Sequence, residues 1–131
     1  MDYTIKTTKA QEFIDITHLV KEELRKDQTE EGIVVVFVPH TTAGITINEN
    51  ADPDVVYDIL SIFNKLIPVH NGYRHAEGNS HAHIKASLLG SSVTVIIEKG
   101  KLKLGTWQGI YFCEFDGPRT RNISIKIIKN R

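Results

Sequence analysis

A continuous run of β-branched and aromatic residues at positions 33–38 constrains the fold of this chain more than any other feature. Side chains of this kind favour β-strands, and an unbroken apolar run indicates a strand that is covered on both faces. The run ends at Pro39, so it is far shorter than the roughly 20 apolar residues that a membrane-spanning helix needs. We therefore expect a globular core around this strand, and no membrane as a partner.

The length and charge of the chain narrow the classes of protein to which it can belong. Its 131 residues suit one domain over 1–131, and 16 Lys and Arg residues balance 16 Asp and Glu residues. Zero net charge argues against a nucleic-acid binder, which needs excess positive charge to neutralise phosphates. Cys113 is the only cysteine and no signal-peptide pattern opens the chain, so we expect a cytoplasmic protein without disulfides.

Capping residues and hydrophobic periodicity predict two to three helices and a strand-rich remainder. Thr17 is expected to cap a helix that ends near residues 26–28, and Asp52 with Pro53 begins a helix that Pro68 closes. The strand-like segments are residues 3–8, 13–16, 33–38, 42–47, 91–98, 107–115 and 123–128. Because helices and strands do not alternate regularly, the pattern predicts a single α+β domain with a largely antiparallel sheet.

Four of the six histidines lie close together in the sequence, within residues 70–83, and they are His70, His75, His81 and His83. They lie in or just after an irregular segment of about a dozen residues, and such segments are often functional. His40 follows the buried strand, where side chains often meet a site. Imidazoles titrate near neutral pH and bind metals, so the cluster predicts a site. The alternative is a set of hydrogen-bonded histidines at a subunit contact.

A third helix is predicted to begin at Asn79 or Ser80 and to stop at Gly90. The first amides of such a helix are free to bind phosphate. Two residues along a helix correspond to about 200° of rotation, so His81 and His83 cannot both face one ion. On a strand they would share a face. We favour the helix, with one of the pair joining the other histidines.

Carboxylates and arginines complete the set of candidate groups. Glu49 could hold a magnesium ion or a metal-bound water, or it could lie in a solvated turn. Glu114 lies among aromatic residues of a strand, so it must be paired, hydrogen-bonded or protonated. Arg119 and Arg121 follow a turn at alternate positions. Their guanidinium groups suit either a phosphate or an internal ion pair with Glu114 or Asp116.

Three motifs together resemble one family. They are HTTAGITINE at 40–49, HAEGNSHAH at 75–83, and LGTWQG with DGPRTR between 104 and 121. These motifs look like the signatures of the YjbQ-like proteins, a family often labelled secondary thiamine-phosphate synthase. The resemblance covers nearly the whole chain. It implies a compact α+β fold with an antiparallel β-sandwich or barrel-like core, assembled as a homotrimer.

The family label implies the joining of a hydroxymethylpyrimidine diphosphate to a thiazole phosphate, with release of pyrophosphate. We therefore expect a phosphorylated small-molecule substrate and a pocket that could also hold a divalent metal, Mg²⁺ or Zn²⁺. The candidate catalytic residues are His40, Glu49, His75, His83 and Glu114. The candidate substrate-binding residues are Asn79, Ser80, Trp107, Gln108, Arg119 and Arg121. The candidate metal ligands are His40, His75, His81 and His83.

Two other functions fit the same residues. The chain could be a non-catalytic metal- or metabolite-binding trimer with its histidines between subunits, or a scaffold in which the histidines only pack at an interface. Stoichiometric zinc or nickel that chelators remove, with loss of the trimer, would indicate the first of these functions. The absence of both metal binding and a ligand-induced thermal shift would indicate the second.

Overall fold

The computed structural model describes residues 1–131 as three helices and eight strands. In chain order they are β1 (Asp2–Lys6), β2 (Glu12–Asp15), α1 (Thr17–Asp27), β3 (Gly32–Phe37), β4 (Ala43–Glu49), α2 (Pro53–Leu66), α3 (Ser80–Leu89), β5 (Ser92–Glu98), β6 (Lys101–Leu102), β7 (Gln108–Glu114) and β8 (Thr120–Lys129). The predicted elements are all present, with boundaries within a few residues of those expected.

The strands form two antiparallel sheets that share one core. The larger sheet has the order β1-β8-β3-β5-β6, and the smaller has the order β2-β7-β4. Val34 and Ile123 from the larger sheet pack with Ile45 and Phe112 from the smaller one, and α1 adds Val20 to the same cluster. The predicted α+β domain with a sandwich-like antiparallel core is therefore confirmed.

Strand β3 is covered on one face only, so the prediction that both faces are covered is wrong. Val34 and Val36 are fully buried in the core, whereas Ile33 and Val35 are half-buried and Phe37 is 44% exposed. Helix α1 contacts the larger sheet from the inner side, where its Val20 and Leu24 join the core. The apolar residues at alternate positions therefore remain accessible on the outside of this sheet.

Strand β7 is instead the strand with both faces buried. Ile110 and Phe112 enter the main core, and Tyr111 and Cys113 enter a second cluster beneath α2 and α3. Cys113 is a fully buried free thiol, and burial raises its pKa well above the ordinary value. The thiol is therefore protonated and structural.

Thr17 does not cap α1, contrary to the prediction. It is the first residue of the helix, and Ile16 occupies the cap position without a side-chain hydrogen bond. The Thr17 hydroxyl donates to Asp15 over 2.6 Å and accepts the N–H of Ile110 over 2.9 Å. The hydroxyl therefore joins the start of α1 to β7 instead of satisfying the free amides of the helix.

Helix α2 has the predicted start and end. Asp52 accepts the N–H of Asp54 over 2.9 Å, Pro53 occupies the first turn, and the helix ends before Pro68. None of its residues is fully buried, although Phe63 and its apolar neighbours pack against the second cluster. No helix of the chain is both long and apolar enough to cross a membrane. A cytoplasmic location stays a prediction from the sequence.

The register of the smaller sheet determines which motifs can share a site. Ala43 of β4 lies opposite Glu114 of β7, and Glu49 lies opposite Gln108. The sheet therefore has one end near His40 and the β7–β8 turn, and another end near Glu49. Six residues of strand separate these ends by about 20 Å.

Candidate functional site

An open cleft of about 730 Å³ lies between the end of β3, the loop before α3, the face of α3 and the β7–β8 turn. Six of the residues selected from the sequence line it: His40, His75, Asn79, His83, Arg119 and Arg121. They come from four separate parts of the chain. The fold therefore assembles a site that no single motif contains.

Two histidines that line the cleft contact each other. The rings of His75 and His83 lie 5.4 Å apart between centroids and are nearly perpendicular. His83 comes from α3, whereas His75 comes from the preceding loop and lies 3.9 Å from Glu77. His81 is buried on another face of α3, as the helical rotation predicts. The sequence left open which of the two α3 histidines faces the cleft, and in the structure it is His83.

His40 is held in one tautomer. Its Nε2 accepts the backbone N–H of Asn122 over 2.9 Å, so the neutral ring carries its proton on Nδ1. Burial lowers the pKa of His40, and the positive charge of Arg121 lowers it further. The ring is therefore neutral at pH 7 and offers an N–H donor.

Arg121 and Glu114 form a buried ion pair beneath the cleft. Arg121 Nε donates to Glu114 Oε1 over 2.9 Å, and Arg121 Nη2 donates to Glu114 and, over 2.8 Å, to the hydroxyl of Thr42. The Thr7 hydroxyl donates to the same carboxylate over 2.8 Å. Burial raises the pKa of Glu114, but these hydrogen bonds outweigh it and hold the pKa below its ordinary value. Both groups are therefore charged.

Of the two paired residues, only Arg121 reaches the cleft. Glu114 has no exposed surface, and both of its oxygens accept hydrogen bonds from the protein. Arg121 lines the cleft, and its Nη1 makes no hydrogen bond to the protein. Glu114 therefore acts on the cleft by holding Arg121, and Arg121 keeps a free N–H edge.

Arg119 is anchored through Asp116 at the rim of the cleft. Its Nε donates to the Asp116 carbonyl over 2.8 Å and its Nη2 to the carboxylate over 3.0 Å. The Asn79 side chain donates to the same carboxylate over 2.9 Å. Asn79 Oδ1 is buried and accepts no hydrogen bond. As both arginines are paired with carboxylates, the cleft is polar without a large positive charge.

Asn79 also occupies the cap position of α3, as predicted, but its side chain makes no capping hydrogen bond. Its amide bonds Asp116 instead. The first turn of α3, which begins at Ser80, contains no acidic residue. The Asp116 carboxylate, which comes from outside the helix, is therefore the negative group beside the partial positive charge of the helix start.

The chain matches the family described as UPF0047 protein YjbQ-like over residues 1–130. It belongs to the UPF0047 YjbQ-like family. It is 54% identical to the UPF0047 protein MJ1081 of Methanocaldococcus jannaschii, covering 98% of this chain and 94% of that protein. It is 57% identical to the UPF0047 protein YugU of Bacillus subtilis, covering 95% of each.

Solved structures of YjbQ-like proteins have the same fold. A YjbQ/UPF0047 family protein of Clostridium acetobutylicum is 62% identical, with a TM-score of 0.96, covering 98% of this chain and 99% of that one. A protein of Sulfolobus solfataricus is 34% identical, with a TM-score of 0.95, covering 99% and 96%. The fold implied by the resemblance is thus shown, and the function is a separate question.

Besides His81, three residues that the YjbQ-like resemblance placed in the pocket lie elsewhere in the single chain. Trp107 is 62% exposed, Gln108 accepts the N–H of Gly105 over 2.8 Å, and Glu49 lies opposite Gln108 at the far end of the smaller sheet. The Glu49 carbonyl accepts the hydroxyl of Tyr111 over 3.3 Å. Within one chain these residues do not share the cleft with the histidines.

The four histidines predicted as metal ligands do not form a metal centre in the single chain. Nowhere does the structure bring together three or more His, Cys, Asp or Glu side chains in a position to hold a metal ion. His81 Nδ1 lies 2.8 Å from the Lys85 amine, and His40 Nε2 is occupied by a backbone N–H. His75 and His83 approach each other, but two histidines are too few because protein zinc sites have at least three ligands.

Sequence reasoning missed Lys85, and it treated Asp116 only as a turn residue or ion-pair partner. Asp116 contacts both Asn79 and Arg119, so it connects the start of α3 to the β7–β8 turn. Lys85 is fully buried one helical turn after His81. The spacing of four residues between a histidine and a lysine on one helix was the signal that could have found it.

Proposed function

We propose that this chain is a small-molecule enzyme whose active site is the histidine cleft. The observation that carries this proposal is the convergence of His40, His75 and His83 from three separate segments on one cleft. Histidines exchange protons near neutral pH, so such a group suits general acid–base catalysis. The free edge of Arg121 and the start of α3 suit an anionic substrate group.

The specific reaction we propose is the secondary thiamine-phosphate synthase reaction of the family label. The bond between the pyrimidine methylene carbon and the diphosphate oxygen breaks, a bond from that carbon to the thiazole nitrogen forms, and pyrophosphate leaves. The enzyme must hold the departing anion and shield the carbon cation. Arg119, Arg121 and the first amides of α3 are suited to the anion, and His75 or His83 could protonate it.

The proposed activity is tested by supplying both phosphorylated precursors with Mg²⁺ and measuring thiamine phosphate by chromatography. We expect turnover by the wild type and a loss of at least about 100-fold in His83→Ala, the scale typical of a general acid–base residue. His18→Ala is the matched control, because His18 is an exposed histidine of α1 outside the cleft. It should keep the wild-type rate.

The outcomes of this assay distinguish an enzyme from a binding protein. If the wild type produces no thiamine phosphate, this specific activity is contradicted. If the precursors bind and the wild type does not turn them over, the alternative of a non-catalytic metabolite-binding protein is favoured. Equal rates in His83→Ala and the wild type would contradict the assignment of the active site to the cleft.

We further propose that the protein works as a homotrimer. Support comes from apolar side chains that one chain leaves exposed on the outer face of the larger sheet. Ile96 and Ile128 flank Ile33 across neighbouring strands, and they are 53% and 48% exposed. A contiguous apolar surface of this kind is typical of an interface. Helix α2 exposes further apolar residues, among them Tyr57 and Leu66.

A neighbouring copy would also reach the cleft. Phe37 belongs to the exposed sheet face and at the same time lines the cleft. In a closed ring, each interface joins two different surfaces, so the far end of another copy's smaller sheet can meet this face. We propose that Trp107 and Glu49 reach the cleft in this way. Trp107 would then supply the aromatic wall that shields a carbon cation.

A further inference from the structure

Lys85 has no role in the proposed mechanism, and its amine lies in an unusual environment. Its side chain on α3 is fully buried, yet no carboxylate lies within ion-pair distance of its amine. Burying a charged amine without an opposite charge is costly, so an uncompensated lysine in a core requires an explanation.

Three neutral acceptors surround the amine. Lys85 Nζ lies 2.6 Å from Asn64 Oδ1, 2.8 Å from His81 Nδ1 and 3.4 Å from Gln11 Oε1. An ammonium group has three N–H donors and no acceptor, so this number of partners matches its charged form. Burial lowers the pKa of Lys85 to about 8, which leaves the ammonium form in excess by about tenfold at pH 7.

The ammonium determines where His81 carries its proton. Since Nδ1 faces an N–H donor, it must accept, and the neutral ring then carries its proton on Nε2. A doubly protonated ring would direct a second N–H at the ammonium. Burial lowers the pKa of His81, and the charge of Lys85 lowers it further. The contact joins residues four apart on α3, so the helix itself fixes it.

The other ring nitrogen points away from Lys85. Nε2 makes no hydrogen bond to the protein, and the negative charge of Asp116 acts on the ring. His70 is the other titratable neighbour outside α3 that acts on the ring. Asp116 lines the cleft and holds both Asn79 and Arg119. With the proton on Nε2, the ring therefore keeps an N–H donor that no group of the chain accepts.

We propose that Lys85 is a positioning residue that holds His81 in the tautomer with its proton on Nε2, so that the ring keeps a free hydrogen-bond donor at the start of α3. This inference does not rest on the proposed function, because it follows from contacts within the chain.

Long-range ¹H–¹⁵N spectra of the imidazole rings at pH 7 test this inference directly. In the wild type we expect His81 to show a protonated Nε2 and an unprotonated Nδ1. In Lys85→Met we expect a mixture of both tautomers. Asn64→Asp is the control, because it keeps both the ammonium and an acceptor oxygen, and it should keep the wild-type tautomer.

A wild-type His81 protonated on Nδ1, or on both nitrogens, would overturn the inference even if Lys85→Met does not fold. An unchanged tautomer in a folded Lys85→Met would overturn the role of Lys85, and so would a tautomer mixture in Asn64→Asp. A wild type without turnover would contradict the proposed function and leave the spectra to decide the tautomer.

Discussion

At the scale of single residues, the cleft depends on charges that the core holds in place. Glu114 and Arg121 are both almost completely buried, and each satisfies the other with help from Thr7 and Thr42. A buried pair of this kind contributes little net stability compared with apolar residues, but breaking it leaves an unpaired charge. The pair therefore fixes the position of Arg121 more than it stabilises the fold.

Removing the charge of Glu114 is expected to destabilise the protein strongly. Glu114→Gln leaves the buried guanidinium of Arg121 without an opposite charge, which should lower the free energy of unfolding at pH 7 by about 3–5 kcal/mol. Urea denaturation measures this change. Glu22→Gln is the control, because it removes an exposed Glu22–Arg25 ion pair and should change stability little.

The difference in stability between the wild type and Glu114→Gln should depend on pH. Because the pKa of folded Glu114 lies below its ordinary value, the carboxylate contributes stability that is present above about pH 4.5 and is lost as pH falls through the folded pKa. The difference in stability between wild type and Glu114→Gln should therefore shrink on acidification. A difference that stays constant or widens in acid would contradict an ionised Glu114.

At the scale of elements, the sequence predicted correctly those features that depend only on residues adjacent in the chain, such as helix starts and helical faces. Asp52 and Pro53 start α2 as expected, and the 3.6-residue period of α3 separates His81 from His83. The prediction that both faces of β3 are covered was wrong because an apolar run does not show how many faces of a strand meet another layer. The prediction that Thr17 caps α1 was wrong because its hydroxyl forms hydrogen bonds with Asp15 and Ile110, and Ile110 is distant in sequence.

Strand register explains which site residues the sequence could not place. His40, His75 and His83 could be grouped because imidazoles are rare and each lies beside a loop or a helix start. Glu49 and Trp107 lie in equally distinctive motifs, but the pairing of Glu49 with Gln108 places them at the other end of β4 and β7. Register depends on contacts across the sheet, which one sequence does not reveal.

At the scale of the whole molecule, the proposed active site needs residues of more than one chain. The single chain has the histidine cleft at one end of the smaller sheet and Trp107 at the other, while apolar side chains such as Ile96 stay exposed. A closed ring of copies would bury the apolar surface and bring the two ends together. In this proposal, the assembly that buries the apolar surface also completes the active site.

Mixing two inactive variants tests whether a site contains residues of two chains. His83→Ala and Trp107→Ala should each be inactive alone as homotrimers. Co-refolded at equal amounts, they should recover about one quarter of the wild-type rate, because one site in four then takes an intact residue from each of two neighbours. Mixtures that stay inactive while forming mixed trimers would show that His83 and Trp107 do not complete one site.

The central claim is that His40, His75 and His83 act as one anion-binding site. A titration with inorganic pyrophosphate, followed through the assigned imidazole C–H signals by NMR, tests it within one molecule. The signals of these three rings should shift together with one dissociation constant, while the signal of exposed His18 stays in place. Three rings that do not respond, that respond with different dissociation constants, or that shift no more than His18 would contradict the claim.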